Sequence, residues 1–383
     1  MGWFAALIGT QIQGVAIGWE MYQRTGEVLA LGLVGLAQAA PTMVLALPAG
    51  YLADRFSRRK VVIVSLTGIT VTSLCLAVLS YTEGSVPWMY ALLVMDATIG
   101  RPARSAFLPQ LVPRDVYPNA VAWSTSMMQL GWMIGPAVGG VIIVWSVTSA
   151  YLAAAMGSTI YAILLLSMNF RATGSAKAEA PMEALFGGLT FLKGNRLVLT
   201  LMSLDMFAVL LGGAVYLLPI FAEEILEVGP EGFGWLRAAP AMGAFCMALM
   251  IAHLPPMERA GWNLLIAVGA FGAATIVFGL SSSFWLSFGM LFLTGLFDNV
   301  SMVIRHTLIQ LSTPDAMRGR VSAVSGVFVS ASNELGGFES GIVAHYFGPV
   351  FSVVSGGIGT IAVVMATGVL SPRLRKQGGL TKP

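Results

Sequence analysis

Apolar runs of about twenty residues recur along this chain, and each is closed off by glycine, proline or a cluster of charge. That is the length an α-helix needs to cross the hydrocarbon core of a bilayer, about 30 Å at about 1.5 Å per residue. Twelve such runs are predicted to be spanning helices: 3–22, 29–52, 61–80, 86–108, 119–144, 149–167, 197–220, 233–253, 261–280, 284–306, 321–345 and 349–370. The longest polar interruption, 168–196, divides them six and six. The expected architecture is an all-α membrane protein of two six-helix bundles. An N-terminal bundle covers 1–167, a cytoplasmic linker 168–196, and a C-terminal bundle with a short basic tail 197–383. Within the linker, Met182–Lys193 reads as an amphipathic helix lying on the membrane surface.

Composition fits a bilayer better than water. The chain has 383 residues, 56% hydrophobic and only 10% charged, with a mean hydropathy of +0.80. Soluble domains carry about 25% charge. A net charge of +3 leaves no basic surface for nucleic acid. Cys75 and Cys246 both fall inside apolar runs and read as small core side chains, not a disulfide. Met1 and Gly2 offer no cationic region before Trp3, so no cleavable signal is expected.

The position of charge predicts the topology. Arg55, Arg58, Arg59, Lys60, Arg114, Arg171, Lys177, Lys193, Arg196, Arg259, Arg318, Arg320, Arg373, Arg375, Lys376 and Lys382 fall in alternate loops or the tail. The opposite loops hold Arg24 with Glu83, Glu223, Glu224, Glu227 and Glu231. Positive residues stay on the cytoplasmic side, so an even number of spans puts both termini in the cytoplasm.

Two motifs stand out. The loop Gly50-Tyr51-Leu52-Ala53-Asp54-Arg55-Phe56-Ser57-Arg58-Arg59-Lys60 joins the second and third runs. In the fifth run, Gly131, Gly135 and Gly139 recur every four residues, with Pro136 and Gly140 beside them. Such glycines form a smooth groove that lets a neighbouring helix approach closely, and Pro136 removes a backbone hydrogen bond. The loop resembles the signature between helices 2 and 3 of the major facilitator superfamily, and the glycine groove resembles the motif of its drug:proton antiporters. Gly100-Arg101-Pro102-Ala103-Arg104, Asn119-Ala120-Val121-Ala122, Arg318-Gly319-Arg320-Val321-Ser322 and Asn333-Glu334-Leu335-Gly336 extend the resemblance across the chain. They are similar to the exporter branch containing the enterobactin-exporter-like and transmembrane secretion effector proteins. The resemblance implies that Asp54 sits at the N-terminus of the eleventh run, near Arg320–Ser322. Arg55, Arg58 and Arg59 would complete a latch on the cytoplasmic side. Ser57 stands where the family usually has glycine, and the matching second-half loop, His253–Gly261, keeps only Arg259.

The two halves look like a repeat. Arg104–Pro113 and Arg305–Pro314 align at an offset of 201 residues, which also sets Gly135 on Gly336. Charges inside spans are costly and point to function. The bases are Arg101, Arg104 and Arg305, and the acids are Asp96, Asp205, Asp298, Glu334 and Glu339. Arg305 lies about 20° round the helix from Asp298 and leans back toward it, so mutual neutralisation competes with a role in the cavity. Glu334, with Asn333 beside it, is the most central acid and the first choice for carrying a proton. Glu339 is about 140° away round the same helix, so the two share a cavity only if that helix breaks. Gln11 and Gln13 either line the cavity or make plain interhelical hydrogen bonds.

No phosphate-binding loop, metal-ligand spacing or nucleophile elbow occurs, so no cofactor, metal or catalytic residue is expected. The reading is a proton-coupled efflux antiporter for small amphipathic molecules of the drug or siderophore kind. Its partners would be the lipid bilayer, protons and substrate, and it would work as a monomer. The competing class is a non-transporting membrane receptor or a membrane enzyme.

Overall fold

The computed structural model describes residues 2–55, 58–100, 116–168, 181–253, 255 and 257–379. Among them the chain is helical throughout. The long helices are α1 (Gly2–Thr25), α2 (Val28–Arg55), α3 (Arg58–Tyr81), α4 (Val86–Gly100), α5 (Tyr117–Trp145) and α6 (Val147–Ser167). After α7 (Pro181–Gly194) come α8 (Arg196–Leu211), α9 (Gly229–His253), α10 (Ala260–Leu280), α11 (Phe284–Leu311), α12 (Arg318–Phe347) and α13 (Pro349–Leu370), with a short α14 (Pro372–Arg375). Among the described residues, eight stretches are long and apolar enough to cross a bilayer, with shorter apolar helices at Val28–Pro41 and Val86–Ile99. α1 and α12 have the length but carry more polar residues: Gln11, Gln13, Glu20 and Arg24 in one, Asn333, Glu334 and Glu339 in the other.

Local chemistry sets the ends. Ser146 and Asn195 cap α6 and α8 through their side-chain oxygens. Proline stands in the first turn of α5, α13 and α14, where no hydrogen bond is lost. Gly348, with φ of 89°, makes the turn from α12 to α13 in a conformation that a side chain would strain.

One expectation changes and another gains detail. The run 197–220 is not one helix: α8 stops at Leu211, Ala214–Leu217 is 3-10, and Phe221–Ile225 is a π-turn. The adjacent glycines Gly212 and Gly213 and the imino nitrogen of Pro219 explain the break. α7 forms where an amphipathic helix was expected, and its described apolar side chains pack inward. Leu192 is buried with Val321, Ile309 and Leu374, and Leu189 and Phe191 pack beside it.

Contacts divide the chain into two compact units. The first contains Met1–Gly26, Leu36–Pro181 and Val228–Ala238. In it α1 packs on α5 and α6, and α3 on α4 and α6. The second contains Glu27–Gly35, Met182–Glu227 and Ala239–Pro383. In it α10 packs on α11 and α13, while α8 packs on α12 and α13. The first turns of α2 and of α9 thus belong to a different unit from the rest of their helices. Cys75 and Cys246 are free thiols.

The tail closes the end of the second unit. Ala260 and Gly261 begin α10 with amide groups that have no intrahelical partner. They donate to the carbonyls of Gly378 (3.2 Å) and Gln377 (3.4 Å). Leu374 is fully buried in the adjoining core. Leu374→Ala should therefore lower stability by roughly 2–5 kcal/mol, read as a reduced melting temperature in detergent. An unchanged melting temperature would show that the tail is not held by this side chain.

Candidate functional site

In the second unit the polar groups gather in two places. The first is built on α12 and the break in α8. α12 runs unbroken, so Glu334 and Glu339 lie on different faces. Glu334 is 8% exposed, and the Tyr216 hydroxyl donates to its Oε2 at 2.5 Å. Glu339 is half-buried, with Ser340 Oγ 3.5 Å away. Asn333 is exposed, and its amide returns to the carbonyl of Val329.

The second place joins α8 to α11. Arg305 does not close onto Asp298 two turns earlier. Its Nη1 pairs with Asp205 Oδ1 at 2.5 Å, and the two side chains are only 12% and 8% exposed. Ser301 Oγ accepts from the same Nη1 at 3.3 Å. The reason is depth: an acid on the packed neighbour can face Arg305 directly, whereas Asp298 is about 10 Å along its own helix axis. Asp298 is exposed, and with Asp205, Ser301, Phe271 and Phe297 it lines a small cavity.

In the first unit, Gln13 is buried and accepts from Ser73 Oγ at 2.5 Å. Asp96 is half-buried and accepts from Thr72 Oγ1 at 2.9 Å. The glycine face of α5 meets α1. A Cβ at Gly131 would lie 2.6 Å from Leu7, one at Gly135 2.5 Å from Gln11 Cβ, and one at Gly139 3.2 Å from Ile12 Cα. Gly140 faces Gly234 instead, at 2.8 Å by the same construction. α5 passes through Pro136 without interruption.

Of the loop signature, Arg59 donates to the carbonyls of Leu165 (3.2 Å) and Leu166 (3.1 Å) at the end of α6. Gly50, Asp54 and Arg55 end α2 and Arg58 begins α3, while their side chains lie outside the described set. Arg101 and Arg104 lie outside the described residues altogether.

Sequence reasoning missed two side-chain groups. Glu20, 3% exposed, pairs with Arg24 at 2.7 Å and accepts from the Tyr151 hydroxyl at 2.7 Å. Arg24 also donates to the carbonyls of Leu79, Ser80 and Gly84. It therefore satisfies helix-end acceptors of α3 and does not sit free in a loop. The four-residue spacing of Glu20 and Arg24 was the available signal. Tyr216 gave none, because it reaches Glu334 only through the break in α8.

The comparisons agree with this architecture. The family profile described as "Transmembrane secretion effector" matches residues 2–378. The chain is 28% identical to "Enterobactin exporter EntS" of Escherichia coli O1:K1 / APEC over 367 residues, covering 94% of this chain and 88% of that protein. The protein of the same name from Shigella boydii serotype 18 matches at 28% over 366 residues, with the same coverage. Among solved structures, a bacterial homologue of the iron transporter ferroportin in an inward-facing state aligns with a TM-score of 0.73. It is 13% identical and covers 98% of this chain and 96% of that one. The nucleoside transporter NupG aligns at 0.74, with 13% identity and coverage of 96% and 97%. The helical order, the glycine face of α5 and a family match over nearly the whole length converge: this chain belongs to the transmembrane secretion effector family of the major facilitator superfamily.

Proposed function

We propose that this protein is a proton-coupled exporter of small amphipathic molecules of the siderophore kind, with Glu334 as the proton carrier. The observation that carries this reading is Glu334 itself, a buried carboxyl midway along α12. An ionisable group at that depth is costly to keep, and by default it marks a functional site. The similarity to proteins named enterobactin exporters supports the direction and the class of cargo. Cargo would bind at mid-membrane while two bundles, 1–167 and 197–383, rock about it. The loop from Gly50 to Lys60 would act as the cytoplasmic gate, with both termini on that side of a bacterial inner membrane. A monomer suffices for this cycle. Asp205, Asp298 and Arg305 would hold the charge balance beside the cavity, with Asp96 in the matching place of the first bundle.

The test is Glu334→Gln, which keeps shape and hydrogen bonding but cannot titrate. In proteoliposomes given enterobactin outside as the probe, proton-driven accumulation should fall at least tenfold while downhill exchange persists. Uphill transport by Glu334→Gln with unchanged pH dependence would move the coupling role elsewhere, to Asp298 or Asp205 first.

A further inference from the structure

Tyr216 reaches Glu334 through an unusual seat. After Leu211 the chain turns at Gly212 and Gly213, and the 3-10 turn Ala214–Leu217 presents the tyrosine to α12. That turn lies directly on backbone. A Cβ at Gly213 would stand 2.6 Å from the Gly336 carbonyl oxygen and from Ser340 Oγ, and one at Gly336 2.8 Å from the Leu210 oxygen. A Cβ at Gly337 would come within 2.5–2.7 Å of three atoms of the Tyr216 ring. The far side of the same turn of α12 is equally confined, since a Cβ at Gly35 would lie 2.9 Å from the Glu334 carbonyl oxygen. Glycine on both helices is thus what lets the ring lie against α12 with its hydroxyl on Oε2.

We propose that Tyr216 is the positioning residue of the Glu334 carboxyl, its ring seated on Gly337 and its hydroxyl fixing which way Oε2 points. This rests on the reading of Glu334 as the proton carrier. A phenylalanine would fill the same space, so packing alone does not require the hydroxyl. A charge-assisted hydrogen bond from a neutral donor holds the carboxylate without neutralising it. Tyr216 keeps its own proton throughout, and the proton that Glu334 takes up comes from water in the cavity. The other titratable or charged groups on the elements packed here are Arg196 and Asp205 on α8, and Arg318, Arg320, Glu339, His345 and Tyr346 on α12. Glu27 precedes α2, and neither the turns 28–35 nor α13 carries any.

Tyr216→Phe tests the proposal in proteoliposomes holding a trapped pH dye, with enterobactin as the probe. Apparent affinity should stay within about twofold, while the pH of half-maximal exchange should be displaced by about one unit, the size of one hydrogen bond to a charged group. Gly337→Ala, which keeps the hydroxyl but crowds the ring, should displace it as well. Adding Tyr216→Phe to Glu334→Gln should change nothing further. A wild-type pH profile in Tyr216→Phe or Gly337→Ala, at normal protein level, overturns the positioning role. A wild-type profile in Glu334→Gln instead overturns the reading of Glu334, so the two failures are distinguishable.

Discussion

Gly135→Leu should abolish transport. The smallest side chain at this position would already lie 2.5 Å from Gln11 Cβ and 3.4 Å from the Ile8 carbonyl oxygen. A leucine adds three more carbons at the same point and has to push α1 off α5. α1 also carries Gln13 and Glu20, both buried against partners on α3 and α6, so the displacement would disturb the whole first unit. Val138→Leu, three residues on and 37% exposed, is the matched control and should transport normally. Efflux at the wild-type rate by a normally inserted Gly135→Leu protein would mean that the α1–α5 seam is not tight during the cycle.

Arg305→Gln should be the most destabilising of the charge changes. It leaves Asp205 buried without its cation, and breaking a buried pair on one side costs roughly 3–5 kcal/mol. Protein level and melting temperature should both fall. The double variant Asp205→Asn with Arg305→Gln should recover much of that loss, because no charge is then stranded and two amides can still bond. Equal melting temperatures for wild type and Arg305→Gln would show that the pair does not hold α8 to α11.

Much of the fold was legible because a bilayer reduces the problem to a single period and a single length. Charge clusters such as Arg58-Arg59-Lys60 coincide with real helix ends. The break in α8 was missed because hydropathy is blind to it: Gly212, Gly213 and Pro219 sit inside an apolar run and read as continuous. The site was less legible for the same reason. Asp298 and Arg305 are close round one helix, a relation sequence can express, and that suggested the wrong pairing. Asp205 lies 100 positions from Arg305, and only the packing of α8 on α11 brings them together. Glu20 was hidden differently, as one acid near the end of a run that otherwise looked like a plain span.

The helix lengths carry a consequence for the lipid. α6, α10 and α13 have 21, 21 and 22 residues, which is about 32 Å of rise and equal to an ordinary hydrocarbon thickness. α5, α11 and α12 have 29, 28 and 30 residues, about 42–45 Å, and must tilt or protrude. A thicker membrane would draw the long helices upright at little cost, while the short ones would bury their polar ends. Hydrophobic mismatch should therefore act through α6, α10 and α13, and acyl-chain length becomes a means of stressing the transporter without altering a residue.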